Sequence, residues 1–314
     1  MKRAIVVGSE GQDGRLLSQR LTADGWSVMG VGRVRVSSSL PGIAQLVSID
    51  SPTDVERLVE QTNPDVIFYV AAHHQSSESS LQEELNLFER SYAVHVRGLL
   101  HFLAALSTHG RGALFYAGSS LVFGNPEEQP QTELTPYRPR SAYAITKAAG
   151  IHACQYYREH HGVRASSGIL YNHESPLRRE TFVSQKIVRA VARIAKGYED
   201  PLALGDLTAR VDWGYAPDFV DAMIRIAALP ESDDFIVATG TAHTVQEFAE
   251  IAFARAGLDW REHVVETPTV LTRGGSLRIG DASRLRATTG WSPTVSFPEM
   301  VHVLVDAAIR AHDA

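Results

Sequence analysis

The chain has 314 residues, 44% of them hydrophobic and 21% charged, with a formal net charge of −6 and a pI near 6.1. This balance suits a soluble globule of one large or two closely joined domains and gives no basic footprint for nucleic acid. The lone Cys154 excludes an intramolecular disulfide framework, and with no apolar leader or membrane-length apolar run in the sequence a cytoplasmic protein with no membrane partner is expected.

Ala4–Val7 is an apolar run of the kind carried by a buried parallel strand. Gly8-Ser-Glu-Gly11-Gln-Asp-Gly14 follows at once and leads into Leu16, Leu17 and Leu21 at helical spacing, so the start reads as strand, glycine turn and helix. Gly8, Gly11 and Gly14, with Gln12 and Asp13 between them, let the backbone approach a pyrophosphate, which the free N–H groups and dipole of the helix N-terminus attract. Further strands are predicted at Ser27–Val31, Ala44–Ile49, Val66–Val70, Ala113–Ala117 and Ala165–Leu170, with helices around 15–23, 53–62, 83–107 and 141–160. The alternation predicts an α/β fold with a Rossmann-type doubly wound parallel sheet. Pro-containing loops at 125–139 and 173–181 are placed at its carboxyl edge, where such sheets bind ligands. Residues 1–171 plus about 212–239, ending in the apolar run Phe235–Thr239, are assigned to this dinucleotide-binding unit; about 172–211 plus 240–314 are expected to form a smaller, C-terminal substrate-binding domain.

The end of the second strand bears on the cofactor. An NAD site normally places a carboxylate there to bind the ribose hydroxyls, whereas this chain has Gly32-Arg33-Val34-Arg35. Arg33, with Arg35 and Ser37 nearby, suits a 2′-phosphate, so NADP is favoured over NAD; the alternative is an Arg33 that stacks on adenine or lies on the surface. His73-His74 after the fourth strand invites a metal reading, but no third ligand has suitable spacing, and no metal is assigned.

Ser119-Ser120-Leu121-Val122-Phe123-Gly124 precedes Tyr143-Ala-Ile-Thr-Lys147. Tyr143 and Lys147 share one helix face at i and i+4, so the ammonium is expected to lower the phenol's pKa and make it a usable general base. With Ser119 holding an alcohol oxygen, Lys147 reaching a cofactor ribose and a nicotinamide accepting hydride, the set reads as redox chemistry at a carbinol.

These motifs resemble the extended short-chain dehydrogenase/reductase superfamily and, within it, the GDP-mannose 4,6-dehydratase family, over nearly the whole chain. The sharpest are Gly11-Gln-Asp-Gly14, Tyr137-Arg-Pro-Arg-Ser-Ala-Tyr143-Ala, Gly168-Ile-Leu-Tyr-Asn-His-Glu-Ser-Pro176, Glu180-Thr-Phe-Val183 and Asp212-Trp-Gly214. The resemblance implies a nucleotide-diphosphate-sugar substrate, a tightly held NAD(P) and reversible oxidation of the sugar at C4. It implies cofactor contacts from Asp50, Ala71, Ala72, His73, Tyr143, Lys147, His173 and Arg178. For the substrate it implies Ser119, Ser120, Asn172, Lys186 and an arginine beside Asp-Trp-Gly; Arg273 is read from its loop position as a further phosphate contact, the alternative being an exposed loop arginine. It also implies a homodimer through helices 83–107 and 141–160, while Arg33–Ser39 resembles a segment that makes tetramer contacts.

Departures from the family define the expected reaction. The family's Thr-Ser-Glu is Ser119, Ser120 and Leu121 here, and leucine cannot remove the C5 proton for loss of water across C5 and C6. Chemistry at C4 is favoured, as a 4-epimerase, which the Ser-Ser-hydrophobe segment also resembles, or as a C4 dehydrogenase or 4-ketoreductase; a 4,6-dehydratase whose base comes from another residue is the less favoured alternative. The family's arginine directly before Asp-Trp-Gly is Val211, with Arg210 one residue earlier, and the Thr272-Arg-Gly-Gly275 loop is short, leaving GDP or ADP and a manno-configured hexose or heptose open. His95 stands where the superfamily usually has Asn or Asp. A dinucleotide-sensing regulator is the non-enzymatic alternative, against which the presence of Ser119, Tyr143 and Lys147 argues.

Overall fold

Strand β1 (Arg3–Val7) is buried from Ala4 onward, which is why its sequence is apolar without alternation. A computed structural model describes residues 1–32, 43–73, 81–110, 112–267 and 277–313; the side chains of 43–46, 81–84 and 313 are outside that description. The elements that follow β1 are α1 (Gln12–Ala23), β2 (Ser27–Gly32), β3 (Ile43–Leu46), α2 (Pro52–Thr62), β4 (Val66–Tyr69), α3 (Leu81–Tyr92), a π-helical turn (Ala93–Arg97), α4 (Gly98–His109) and β5 (Ala113–Ala117). Then come a 3₁₀ turn (Ser120–Phe123), α5 (Ala142–His161), β6 (Arg164–Leu170), β7 (Asn172–Glu174), α6 (Val183–Ile194), β8 (Leu202–Leu204), β9 (Arg210–Tyr215) and α7 (Ala216–Ala227). The chain ends with β10 (Asp234–Val237), β11 (Ala242–Thr244), α8 (Val245–Arg255), β12 (Val264–Glu266), α9 (Ser283–Thr289) and α10 (Phe297–Asp313).

The main sheet runs β10-β6-β5-β4-β1-β2-β3, and every pairing in it is parallel. Strand order reverses between β1 and β4, so their carboxyl ends open the crevice in which doubly wound sheets bind ligands. Helices α1, α7 and α9 form one layer and α2, α4 and α5 another. Local chemistry sets their limits. Ser51 accepts from Asp54 N–H ahead of Pro52, Ser141 accepts from Ala144 N–H, and Gly162 closes α5 in the left-handed conformation.

Two apolar clusters result. The larger fills the main sheet and its helices, including Ala282, Leu285 and Trp291; the smaller packs α6, α8 and α10 around Trp213, Phe248, Phe253 and Phe297. Each fully buried Leu or Phe in them contributes about 2 kcal/mol by leaving water.

Several expected limits differ. The helix expected over 83–107 is broken by the π turn, whose displaced carbonyls are taken by tyrosines at the ends of two strands: Tyr69 OH donates to Val94 O at 2.6 Å and Tyr116 OH to His95 O at 3.3 Å. β3 stops at Leu46, and Ile49 O meets His101 Nδ1 instead of a strand. Within 212–239, β10 joins the main sheet beside β6, whereas β9 pairs with β7 and β11 in a separate small sheet. His173 and Glu174, expected in a loop, form β7 together with Asn172. Among the described residues no helix is long and apolar enough to cross a membrane.

Candidate active site

The glycine turn sits at the carboxyl end of β1. Gly8 has φ +92°, and a Cβ there would lie 2.6 Å from the Ala71 Cα, so only glycine lets β1 and the β4 exit come this close. At Gly14 a Cβ would fall on the Gly8 carbonyl, which couples α1 to the turn. Gly11 caps α1 with no side chain, leaving first-turn N–H groups at the helix start for an anion. This cradle fits a dinucleotide diphosphate.

The turn is fastened to the segment after β6. Gln12 Nε2 donates to His173 O at 3.1 Å, Ser175 Oγ donates to Gln12 Oε1 at 2.8 Å, and His173 Nε2 meets Asp13 Oδ1 at 3.0 Å. Burial would raise the Asp13 carboxyl, yet the charge and hydrogen bond of His173, with help from Gln12 and Arg178, hold it at about 2. Nδ1 of His173 faces Tyr171 O at 2.7 Å, and its ring stacks on Phe219. Arg178 lies over the Phe182 ring with Nε 3.5 Å from Glu174, whose buried carboxylate accepts from Ser184 Oγ at 2.6 Å.

Ser119 follows β5, and its hydroxyl accepts from Leu121 N–H at the start of the 3₁₀ turn. The Ser119 hydroxyl acts on the Tyr143 phenol. Burial pushes the Tyr143 phenol up to about 12, with Arg178 and Ser119 pulling it down and Asp13 adding to the rise. Lys147 is fully buried one turn on; its Nζ donates to Ala117 O at 2.6 Å and lies 5.8 Å from the Tyr143 ring centroid. Burial lowers its ammonium to about 7 against the pull of Asp13. The sequence expectation that Lys147 lowers the phenol therefore meets a different arrangement. A buried ammonium needs an acceptor, the β5 carbonyl end supplies it, and Arg178 and Ser119 are the groups that act downward on Tyr143.

The structure thus brings together Ser119, Tyr143, Lys147, Asp13, His173 and Arg178. Ala71, Ala72 and His73 run on from β4 beside Gly8, whereas the exposed Asp50 carboxylate is engaged by Arg97 at 2.8 Å. Ser120 is buried in the 3₁₀ turn, and Asn172 and Lys186 are exposed on β7 and α6. Arg33, Arg273 and His74 lie outside the described residues. Arg278, which the sequence reading did not single out, donates from Nη1 to Gly124 O at 2.9 Å at the end of the Ser119–Gly124 segment; its position in Arg-Ile-Gly-Asp281 after a loop was the available signal.

A family model described as GDP-mannose 4,6 dehydratase matches residues 5–304. The chain belongs to the GDP-mannose 4,6-dehydratase family. GDP-mannose 4,6 dehydratase 1 of Arabidopsis thaliana is 34% identical over 328 residues, covering 97% of this chain and 89% of that one. Among solved structures, the UDP-glucose 4-epimerase of Thermus thermophilus in complex with NAD is 25% identical at a TM-score of 0.80, over 98% of both chains. The dTDP-glucose 4,6-dehydratase of Bacillus anthracis shares the fold at a TM-score of 0.85 and 16% identity, over 100% of this chain and 98% of that one. The protein is accordingly an enzyme of the nucleotide-sugar dehydratase and epimerase superfamily.

Against the family pattern, the arginine beside Asp-Trp-Gly does not merely shift along the chain. Successive strand residues face opposite ways, so Arg210 shares a face with Asp212, and Val211 shares one with Trp213. Arg210 Nη2 donates to Ala242 O at 3.3 Å, while Val211 packs against the smaller apolar cluster.

Proposed function

We propose that the chain is a nucleotide-diphosphate-sugar 4-epimerase acting on a GDP- or ADP-linked manno-configured hexose or heptose, with a retained NAD(P) for which NADP is favoured. The observation that carries the reading is the gathering of Ser119, Tyr143 and Lys147 at the end of β5, with Leu121 where the resembling dehydratases have their base. The buried carboxylates nearby are already engaged, Asp13 with His173 and Glu174 with Ser184 and Arg178.

The glycine cradle, His173 and Arg178 hold the cofactor, and Asn172, Lys186 and Arg210 belong to the substrate side. The nicotinamide, when bound, supplies reversible two-electron oxidation at C4. Ser119 donates to the C4 oxygen, and Tyr143 accepts the hydroxyl proton as the carbinol becomes a ketone. Burial holds the phenol up at about 12, and Arg178 and Ser119 act against that rise, toward the phenolate that this step needs. Tyr143 returns the same proton after the 4-keto sugar has turned its other face, so neither atoms nor electrons are gained or lost overall.

The exposed apolar side chains Leu85, Phe88 and Tyr92 on α3 and Ile145 and Tyr156 on α5 support a homodimer through these helices. The Arg33–Ser39 segment compared with a tetramer contact lies outside the described residues.

The test is incubation of the purified protein, without added cofactor, with GDP- and ADP-linked manno-hexoses and heptoses, followed by proton NMR and mass spectrometry. A C4 epimer of unchanged mass is expected. Turnover only with added cofactor identifies a C4 dehydrogenase or 4-ketoreductase, and loss of one water identifies a dehydratase.

A further inference from the structure

His95 is fully buried in the π turn, and nothing in the chemistry above uses its ring. Its Nε2 accepts a hydrogen bond from the backbone N–H of His73 at 3.0 Å, which requires that nitrogen to be unprotonated. Nδ1 then carries the proton and donates to Thr146 Oγ1 at 2.9 Å. The Thr146 hydroxyl in turn lies 2.9 Å from Ala142 O and 3.0 Å from Tyr143 O. The donors therefore point one way, from the backbone after β4, through a single neutral tautomer, to the first turn of α5. The His95 ring also stands edge-on to the Tyr143 ring, with centroids 5.1 Å apart and planes at 86°.

Placement of the imidazole is itself constrained. The π turn is held by Tyr69 OH on Val94 O and Tyr116 OH on His95 O, so two strand ends fix the backbone from which the ring projects. One side chain thus joins the segment beside the glycine turn to the helical turn that carries the phenol.

We propose that His95 is a positioning residue for Tyr143, an Nδ1-protonated imidazole that keeps the phenol and the backbone at His73 in one register. It acts through Tyr143 and touches neither substrate nor reacting atoms. The consequence for turnover rests on the C4 reading above; the tautomer and its effect on the phenol do not. Small displacements of a proton-transfer group are costly, since a shift of about 1 Å lowers rates on the order of 100-fold.

His95→Leu keeps bulk and removes both hydrogen bonds, His95→Gln keeps one donor and one acceptor, and Thr146→Val removes the next link. His95→Leu is expected to lower kcat by about 10- to 100-fold while sugar KM stays within about threefold, and His95→Gln to recover most of kcat. The His95→Leu/Thr146→Val double variant is expected to fall no further than the worse single variant, because both cut one chain of bonds. Two readouts need no turnover. Imidazole nitrogen NMR shifts of the wild-type protein should report protonation at Nδ1, and the alkaline ultraviolet titration of Tyr143, taken as the difference from Tyr143→Phe, should move in His95→Leu and return in His95→Gln. An Nε2-protonated ring, an unmoved Tyr143 titration, or equal kcat losses in the Leu and Gln variants that track their melting temperatures would overturn the proposal. If no nucleotide sugar is turned over by the wild type, the C4 reading fails, and the shifts and titration still decide the role of His95.

Discussion

Nε2 of His173 lies 3.0 Å from Oδ1 of Asp13, joining the glycine turn to the segment after β6 across 160 positions of sequence. Burial alone would penalise the Asp13 carboxylate, and the histidine charge and hydrogen bonds outweigh that penalty. The folded pKa of about 2 lies below the ordinary 3.8, so the contribution to stability is fully present above about pH 4 and is lost as pH falls through 2. Asp13→Asn is expected to cost roughly 2 kcal/mol at neutral pH. Urea unfolding of both proteins checks this: the gap between them should close on acidification, and a constant gap means that the charge is not what stabilises the contact.

Tyr143→Phe removes the hydroxyl proposed as acid and base while leaving the ring against His95. Turnover is expected to fall by about 100- to 10,000-fold with the melting temperature little changed. Ser119→Ala is expected to fall less, since the phenol keeps the influence of Arg178. Activity of Tyr143→Phe within tenfold of wild type would assign the base elsewhere.

The parts of the fold read correctly from sequence are those with local causes. Ala113–Ala117 is a strand within its expected limits because a wholly buried parallel strand must be continuously apolar, and α5 begins at Ala142 because Ser141 caps it. The π turn was illegible, since two strand tyrosines far away in sequence draw its carbonyls out of the helical ladder. The Asp13–His173 contact was equally hidden: each residue was marked for a cofactor, and only the fold brings them together. The i, i+4 spacing placed Tyr143 and Lys147 on one face but could not say that the ammonium turns to Ala117 O, because that acceptor belongs to β5. For Arg210, strand alternation counted from the buried Asp212 was a usable signal for its direction.

Lys147 gives a stability prediction whose sign is opposite to that of a surface lysine. Its folded pKa of about 7 lies below the ordinary 10.5. Below pH 7 both states carry the proton and the folded state bears the full cost of burying charge. Between 7 and 10.5 the unfolded chain binds a proton that the folded one lacks, so stability rises with pH across that window. Lys147→Met is therefore expected to raise the melting temperature of the cofactor-free protein most below pH 7, with the gain shrinking toward pH 10, while turnover is lost. Thermal melts across this range test it, and a gain independent of pH would mean that Lys147 is not buried as an ammonium.

Leu121 offers the sharpest chemical test, because one substitution separates two reactions that share their first step. The residue lies in the 3₁₀ turn, part-buried, with its N–H on Ser119 Oγ, and so adjoins the hydroxyl proposed to hold the C4 oxygen. Oxidation at C4 acidifies the C5 proton in either enzyme; a carboxylate at this position is what elimination adds. Leu121→Glu is expected to yield a product lighter by one water from a GDP-linked manno-hexose, at the expense of the epimer, because the 4-keto intermediate now has a second exit. The partitioning is read by mass spectrometry of a single incubation. If the variant forms only epimer at the wild-type rate, position 121 does not face C5. If the wild type already releases the dehydrated sugar, another residue serves as base and the assignment of the reaction to C4 alone is wrong.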